Sequence, residues 1–162
     1  MQPQHVPQNP SGNLLLRTLA MPSDTNPAGD IFGGWIVSQM DIAGAILAHE
    51  IACGRVVTVA IEGMSFMQPV NVGDVVCCYG KCSHLGHTSL KIELEIWVKK
   101  VAESETHERA LRYLVTKGIF TYVSVDRFGK PRALPKVAEH IAKYGIDAAS
   151  AGLNPDGTVH TN

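Results

Sequence analysis

The sequence predicts an α+β fold in which a curved antiparallel β-sheet wraps one long central α-helix. Three observations lead there. One segment alone, "GGWIVSQMDIAGAILAHEIACG" from Gly33 to Gly54, has the length and apolar content of a long helix, with only Ser38, Gln39 and Asp41 polar between Trp35 and Ala48. After it the pattern shifts to period two, most clearly where Leu90, Ile92, Leu94, Ile96 and Val98 alternate with Ser89, Lys91, Glu93, Glu95 and Lys99. A sheet whose only long helix is apolar must wrap that helix, because nothing else in the chain can cover it.

Taken in order, "MQPQHVPQNPSGN" is polar and rich in Pro and Gln, a flexible tail, and "LLLRTLA" (Leu14 to Ala20) is a short strand. "MPSDTNPAGD" is a loop, since Pro, Ser, Asp, Asn and Gly each favour turns. Gly33-Gly34 lead into the helix and Gly54 is placed as its stop; apolar nearly all round, the helix is expected to be buried. "RVVTVAIEGMSFMQPV" begins β-branched and runs into the turn "VNVGD", followed by the strands "VVCCYGKCSHL" and "GHTSLKIELEIWVKK". A polar connection around "AESETHE" precedes a last long strand, "ALRYLVTKGIFTYVSVD", closed by the turn "DRFGKP". "KVAEHIAKYG" reads as a short helix and "AGLNPDGTVHTN" as a disordered end. The chain thus divides into a tail (1–13), one folded domain (14–130) and a C-terminal extension (131–162), with four antiparallel strands after the helix.

Composition narrows the function. At 162 residues, 45% hydrophobic, 18% charged and with a formal net charge of -1, the chain is a globular domain without the basic surface that nucleic acid requires. No stretch reaches the roughly 20 uninterrupted apolar residues of a membrane span, and the amino terminus lacks the cationic start and apolar core of a signal peptide. Cys53, Cys77, Cys78 and Cys82 have no CxxC or disulfide-framework spacing, and Cys77 and Cys78 face opposite sides of a strand. They are read as reduced thiols in a cytoplasmic protein.

Asp41 is the residue that the helix does not explain. Val37, Ser38, Gly44 and Ala45 share its face, so most of its neighbours are small and leave room for another backbone or for a ligand. Burying an unpaired carboxylate costs several kcal/mol, or roughly that, unless it is hydrogen-bonded or neutral. One reading is therefore a structural acid satisfied by backbone or a hydroxyl. The other is functional: the N–H groups of Gly33 and Gly34, unobstructed by side chains at the positive end of the helix, resemble an oxyanion hole. Eight residues of helix separate Gly33 from Asp41, about 12 Å, whereas one reacting carbonyl must lie within about 3 Å of both groups. If they cooperate, they come from different subunits, and the protein is at least a two-fold dimer.

Asn26, Gly33 seven positions on and Asp41 eight further, within "DTNPAGDIFGGWIVSQMD", resemble the acyl-CoA thioesterases of the hotdog superfamily, most closely the YciA-type bacterial enzymes. The likeness runs from about Leu14 to Lys130 and includes "GRVVTVAIEGMSF", "PVNVGDVVCCYG" and "GHTSLKIELEIWVKK". It implies a hotdog fold, hydrolysis of acyl-CoA and sites at a dimer interface, with dimers often assembled into hexamers. By position, Asn26 would help hold the thioester or the attacking water, the Gly33 N–H would polarise the carbonyl, and Asp41 of the facing subunit would be nucleophile or general base. Two departures stand out: Phe32 occupies a position that is commonly His in relatives, and Ala45 one that is often Thr or Ser. A thioester carbonyl is electrophilic and thiolate leaves readily, so an acid, an amide and a helix terminus suffice without metal or cofactor, CoA being part of substrate and product.

For the CoA phosphates, Gly86-His87-Thr88-Ser89 offers a turn that anions can approach, and Arg55, Lys99 and Lys100 offer charge. The plainer alternatives are a tight hairpin and solvated strand ends. No His/Cys set has metal spacing, and Ser38 and Ser65 have no nucleophile elbow. Trp35 and Trp97 are read as core or interface aromatics, and no role is assigned to Glu62 on the strand after the helix. Two competing functions are an acyl-thioester hydratase or dehydratase, which would want a His paired with the acid, and a non-catalytic acyl-CoA sensor.

Overall fold

A computed structural model describes residues 9–100 and 112–144. Five strands and two helices follow in the order β1 (Asn13–Leu19), α1 (Gly33–Ala52), β2 (Val56–Phe66), β3 (Val75–Leu85), β4 (Ser89–Lys99), β5 (Arg112–Ser124) and α2 (Ala138–Tyr144). The sheet order is β1-β3-β4-β5-β2, and every pairing is antiparallel. This is the α+β hotdog arrangement. β2 does not join β3, its neighbour in sequence; it pairs with β5 at the far edge, so the connection through Pro69 to Asp74 carries the chain from one edge to the interior of the sheet. The connection around "AESETHE", residues 1–8 of the tail and the end beyond 144 lie outside the described residues.

The alternation in β4 does what its period demands. Leu90, Ile92, Leu94, Ile96 and Val98 are fully buried and meet Ile36, Met40, Ala43, Leu47 and Ile51 of α1 in one core. Each large side chain so buried stabilises the fold by roughly 1.5–3 kcal/mol. On the other face, Lys81 pairs with Glu93 and Lys91 with Glu62, both at 3.4 Å and solvent-exposed. Trp97 departs from that wet face: it is buried, and its Nε1 donates to Glu95 Oε2 at 2.8 Å. Cys77 and Cys78 lie opposite Trp97 and Ile96, on opposite faces as expected, and both are buried.

Two expectations about α1 need correction. The helix is not buried all round, because Ile42 and Ile46 are 49% and 45% exposed. One five-stranded sheet covers only one side of a helix. Phe32, Phe66, Met67 and the edge-strand residues Val59 and Ile61 are exposed as well. Nor is Gly54 the left-handed stop. Cys53 takes that role at φ 49°, with Gly54 N–H donating to His49 O and Cys53 N–H to Glu50 O. This is the pairing of a Schellman cap. Gly54 serves a different need, since a Cβ there would lie 2.7 Å from Arg132, whose Nη2 donates to Ala52 O at 2.8 Å. The cation caps the negative end of the helix.

The segment expected as a short helix contains α2, and Val137, Ala138 and Ile141 of this extension join the main core. Among the described residues no helix is long and apolar enough to cross a membrane.

Candidate active site

Asp41 sits half-buried at the middle of α1, and two hydroxyls converge on one of its oxygens. Thr58 of β2 donates to Oδ1 at 2.7 Å, and Tyr122 of β5 donates to the same Oδ1 at 3.2 Å. The Tyr122 hydroxyl also lies 3.2 Å from the Asp41 backbone carbonyl. Oδ2 accepts no hydrogen bond among the described residues. The small residues around the acid are partly explained by this: a Cβ at Gly44 would collide with the Tyr122 hydroxyl, so the space is reserved for it. Burial first, and the Asp41 charge and hydrogen bond next, push the Tyr122 phenol well above its ordinary 10.0, which keeps it a donor.

At the start of α1 the chain enters through Phe32, at φ -57° and ψ 132°, with no side-chain cap. The Gly33 and Gly34 N–H groups make no hydrogen bond among the described residues. Unengaged donors at a helix start favour anions and oxyanions in general. Gly33 lines a cleft of about 340 Å³ together with Asp30, Ile31, Phe66, Gln68 and Val70. Asn26 anchors the preceding loop: its Oδ1 accepts from Ala28 N at 3.0 Å and Asp30 N at 3.1 Å. Asp126 closes an equivalent loop in the same way, accepting from Phe128 N and Lys130 N. A carboxylate therefore suffices for that job, and the amide Nδ2 of Asn26 is a donor beyond what the loop needs.

The residues expected to meet CoA fall into two groups that one chain does not bring together. Arg55 and the Gly86–Ser89 turn share one end of the sheet, where Val125 N–H donates to Arg55 O and Ser124 N–H to Thr88 O. Leu134 N–H occupies His87 O at 2.8 Å, and Gly86 N–H donates to Ser89 O at 2.7 Å. Lys99 and Lys100 stand at the other end of β4, roughly 33 Å away at the rise of an extended strand. Lys99 is exposed, whereas Lys100 is held by Asp74 at 2.9 Å.

Thr58 and Tyr122 are the site residues that sequence reading missed. Thr58 carries the one hydroxyl in "RVVTVAI", directly after the helix, and Tyr122 occupies a core-facing position between Phe120 and Ser124, where a buried phenol needs a partner. Glu62 is exposed and paired with Lys91. Among the described residues no three His, Cys, Asp or Glu side chains converge on a common point.

A central helix with bare amides at its start and a hydroxyl-held acid at its middle, cradled by an antiparallel sheet, defines a hotdog protein of the thioesterase class, and residues 28–105 match the Thioesterase superfamily. The chain is 64% identical over 126 residues to the acyl-CoA thioester hydrolase YciA of Escherichia coli K12, a match covering 78% of this chain and 93% of that one. Among solved structures it is similar to HI0827, a hexameric broad-specificity acyl-coenzyme A thioesterase, with a TM-score of 0.77 at 57% identity over 84% of this chain and 92% of the other. It is likewise similar to the hexameric thioesterase y2039 of Yersinia pestis, with a TM-score of 0.73 at 60% identity over 79% and 99% of the two chains. The chain belongs to the YciA family of acyl-CoA thioester hydrolases.

Proposed function

We propose that this protein hydrolyses acyl-CoA to a free fatty acid and CoA at sites that two copies build together. The observation that carries the reading is the pairing, on one helix, of unengaged Gly33 and Gly34 amides with an acid whose Oδ2 is left open, about 12 Å apart. That distance suits two copies, with the amides of one facing Asp41 of the other. The exposed apolar side chains of Ile42 and Ile46 on α1, and of Val59 and Ile61 on β2, offer apolar area for such an interface. Relatives of known structure are hexamers, which supports a trimer of dimers here.

In this reading the Gly33 N–H polarises the thioester carbonyl, and the Asn26 Nδ2 donates to the carbonyl or orients water. Asp41 either attacks the carbonyl carbon or takes a proton from water. By either route the C–S bond breaks, the OH of water ends on the acyl carbon and its hydrogen on the sulfur. The chemistry asks for no metal or resident cofactor. Ala45 supplies no hydroxyl beside the acid, but Thr58 does so from β2. A hydratase would set a His against Asp41, whose side-chain partners are the hydroxyls of Thr58 and Tyr122. For the phosphates we favour Arg55 with the Gly86–Ser89 turn, and Lys99, over Lys100, which Asp74 engages. The thiols of Cys77, Cys78 and Cys82 suit a reducing cytoplasm.

Thiol release from short, medium and long acyl-CoAs tests the activity, and subunit mixing tests the architecture. Asp41→Asn lowers kcat about 10³-fold. Gly33→Pro removes the N–H at a first-turn position that accepts proline, and lowers kcat by about 10²–10³. Refolded together, the two inactive variants regain about a quarter of wild-type turnover, because half the dimers are hybrids and each hybrid holds one intact site. No recovery on mixing would place both groups in one chain and overturn the shared site.

A further inference from the structure

We infer that Tyr122 is a positioning residue for this hydrolysis: its hydroxyl, with that of Thr58, fixes Oδ1 of Asp41 and so dedicates Oδ2 to the substrate. The inference rests on the reading of Asp41 as the reacting acid and adds which of its oxygens reacts and what selects it. Both donors meet the same oxygen, at 2.7 Å and 3.2 Å, and Oδ2 meets none among the described residues. A carboxylate with its two oxygens so unequally solvated has one preferred rotation about its terminal bond. The arrangement is built from three elements. β2 supplies Thr58, β5 supplies Tyr122, and α1 supplies both the acid and, three residues on, the glycine whose missing side chain admits the phenol. The one proton of the Tyr122 hydroxyl is shared with the Asp41 carbonyl, which lies at the same 3.2 Å, so the contact also holds the helix backbone at the acid against the sheet.

The surroundings leave few other groups to act on this pair. Leu94 of β4 closes the slot beside Gly44, and the Cys78 thiol of β3 is the further titratable group that acts on Tyr122. Burial, and then the charge on Cys77, push that thiol up to about 12, so it is neutral wherever the enzyme is assayed. The hydroxyl itself cannot serve as a base at neutral pH, since Tyr122 holds its proton far into the alkaline range. Its contribution is a fixed dipole and a fixed orientation. A donor to a carboxylate favours the charged form over the neutral one.

The test is Tyr122→Phe, which keeps the ring in its buried slot and deletes the oxygen, with Thr58→Val as the matching change at the other donor. Expected is a fall in kcat of about tenfold with KM little changed, and an acid limb of kcat/KM against pH that moves upward by about 0.5–1 unit. Thr58→Val moves the limb the same way, and the double variant moves it further than either alone. A Tyr122→Phe enzyme that melts normally and keeps the wild-type limb overturns the inference, whether or not its kcat has fallen, because a merely structural loss leaves the limb in place. Asp41→Asn runs alongside as the arm that separates the two levels: if it retains full turnover, the reading of Asp41 itself falls. If it is inactive while Tyr122→Phe is unchanged, only the inference about Tyr122 falls.

Discussion

Asp41 and Asp74 are both acids beside apolar segments, and both accept a tyrosine hydroxyl, yet their surroundings differ in every other respect. Asp74 is 5% exposed, and both its oxygens are taken: Lys100 Nζ lies 2.9 Å from Oδ1, while Asn71 N donates to Oδ2 at 2.9 Å and Tyr113 OH at 3.5 Å. Among the described residues Asp41 has no cation beside it, two hydroxyls on one oxygen and nothing on the other. An acid whose lone pairs are all spoken for holds a fold together. Asp74 does so for the turn between β2 and β3, whose Val70 carbonyl accepts from Ile31 N–H just ahead of Gly33. An acid left half-satisfied retains a basic oxygen, which is what the proposed hydrolysis needs.

One substitution made at both positions breaks or confirms this contrast. Asp41→Asn puts the amide on the side of the bare oxygen and keeps an acceptor for both hydroxyls, so kcat falls about 10³-fold while Tm stays within about 2 °C. Asp74→Asn turns an NH2 group toward donors whichever way it is placed. It costs about 1–3 kcal/mol, seen as a Tm lower by roughly 3–10 °C, with a small effect on kcat. Calorimetry and the thiol-release assay on the two variants decide it, and equal behaviour would erase the distinction. A smaller effect is expected at Asn26. Asn26→Asp keeps the loop closed, as Asp126 does in its own loop, and loses the Nδ2 donor, so kcat drops about 10–100-fold with Tm little changed.

The smallest effect concerns pH. Cys78 and Tyr122 both hold their protons more tightly folded than unfolded, chiefly through burial. The unfolded chain releases those protons first as pH climbs past the ordinary values of 9.0 and 10.0, so stability is complete below that range and declines as pH rises through it. Urea midpoints measured from pH 8 to 11 should fall in the wild type. The fall is shallower in Cys78→Ala, and an identical slope would show that the thiol is not desolvated as described.

The sequence was most legible where the physics is local. The period-two run of β4, the loop residues before α1 and the odd carboxylate within α1 each declared themselves within a dozen residues. What was not legible was contact at long separation. Thr58 is 17 residues from Asp41 and Tyr122 is 81, and no spacing rule joins them. Lys100 looked like a phosphate partner because it ends a strand among charges, but Asp74, 26 residues earlier, holds it. The helix looked buried all round because its own composition is uniform, and only the count of strands available to cover it shows that Ile42 and Ile46 remain open.

By itself the sequence determined the α+β class, the long helix with its bare glycine start and the acid at its middle, because side-chain periodicity and helix rise are set by neighbouring residues. Only the tertiary structure decided that β2 crosses to pair with β5, and thereby that Thr58 and Tyr122 arrive at one oxygen of Asp41 and leave the other free. Strand partners are chosen by hydrogen bonding and packing between segments far apart in the chain, and that choice is made only when the whole core closes.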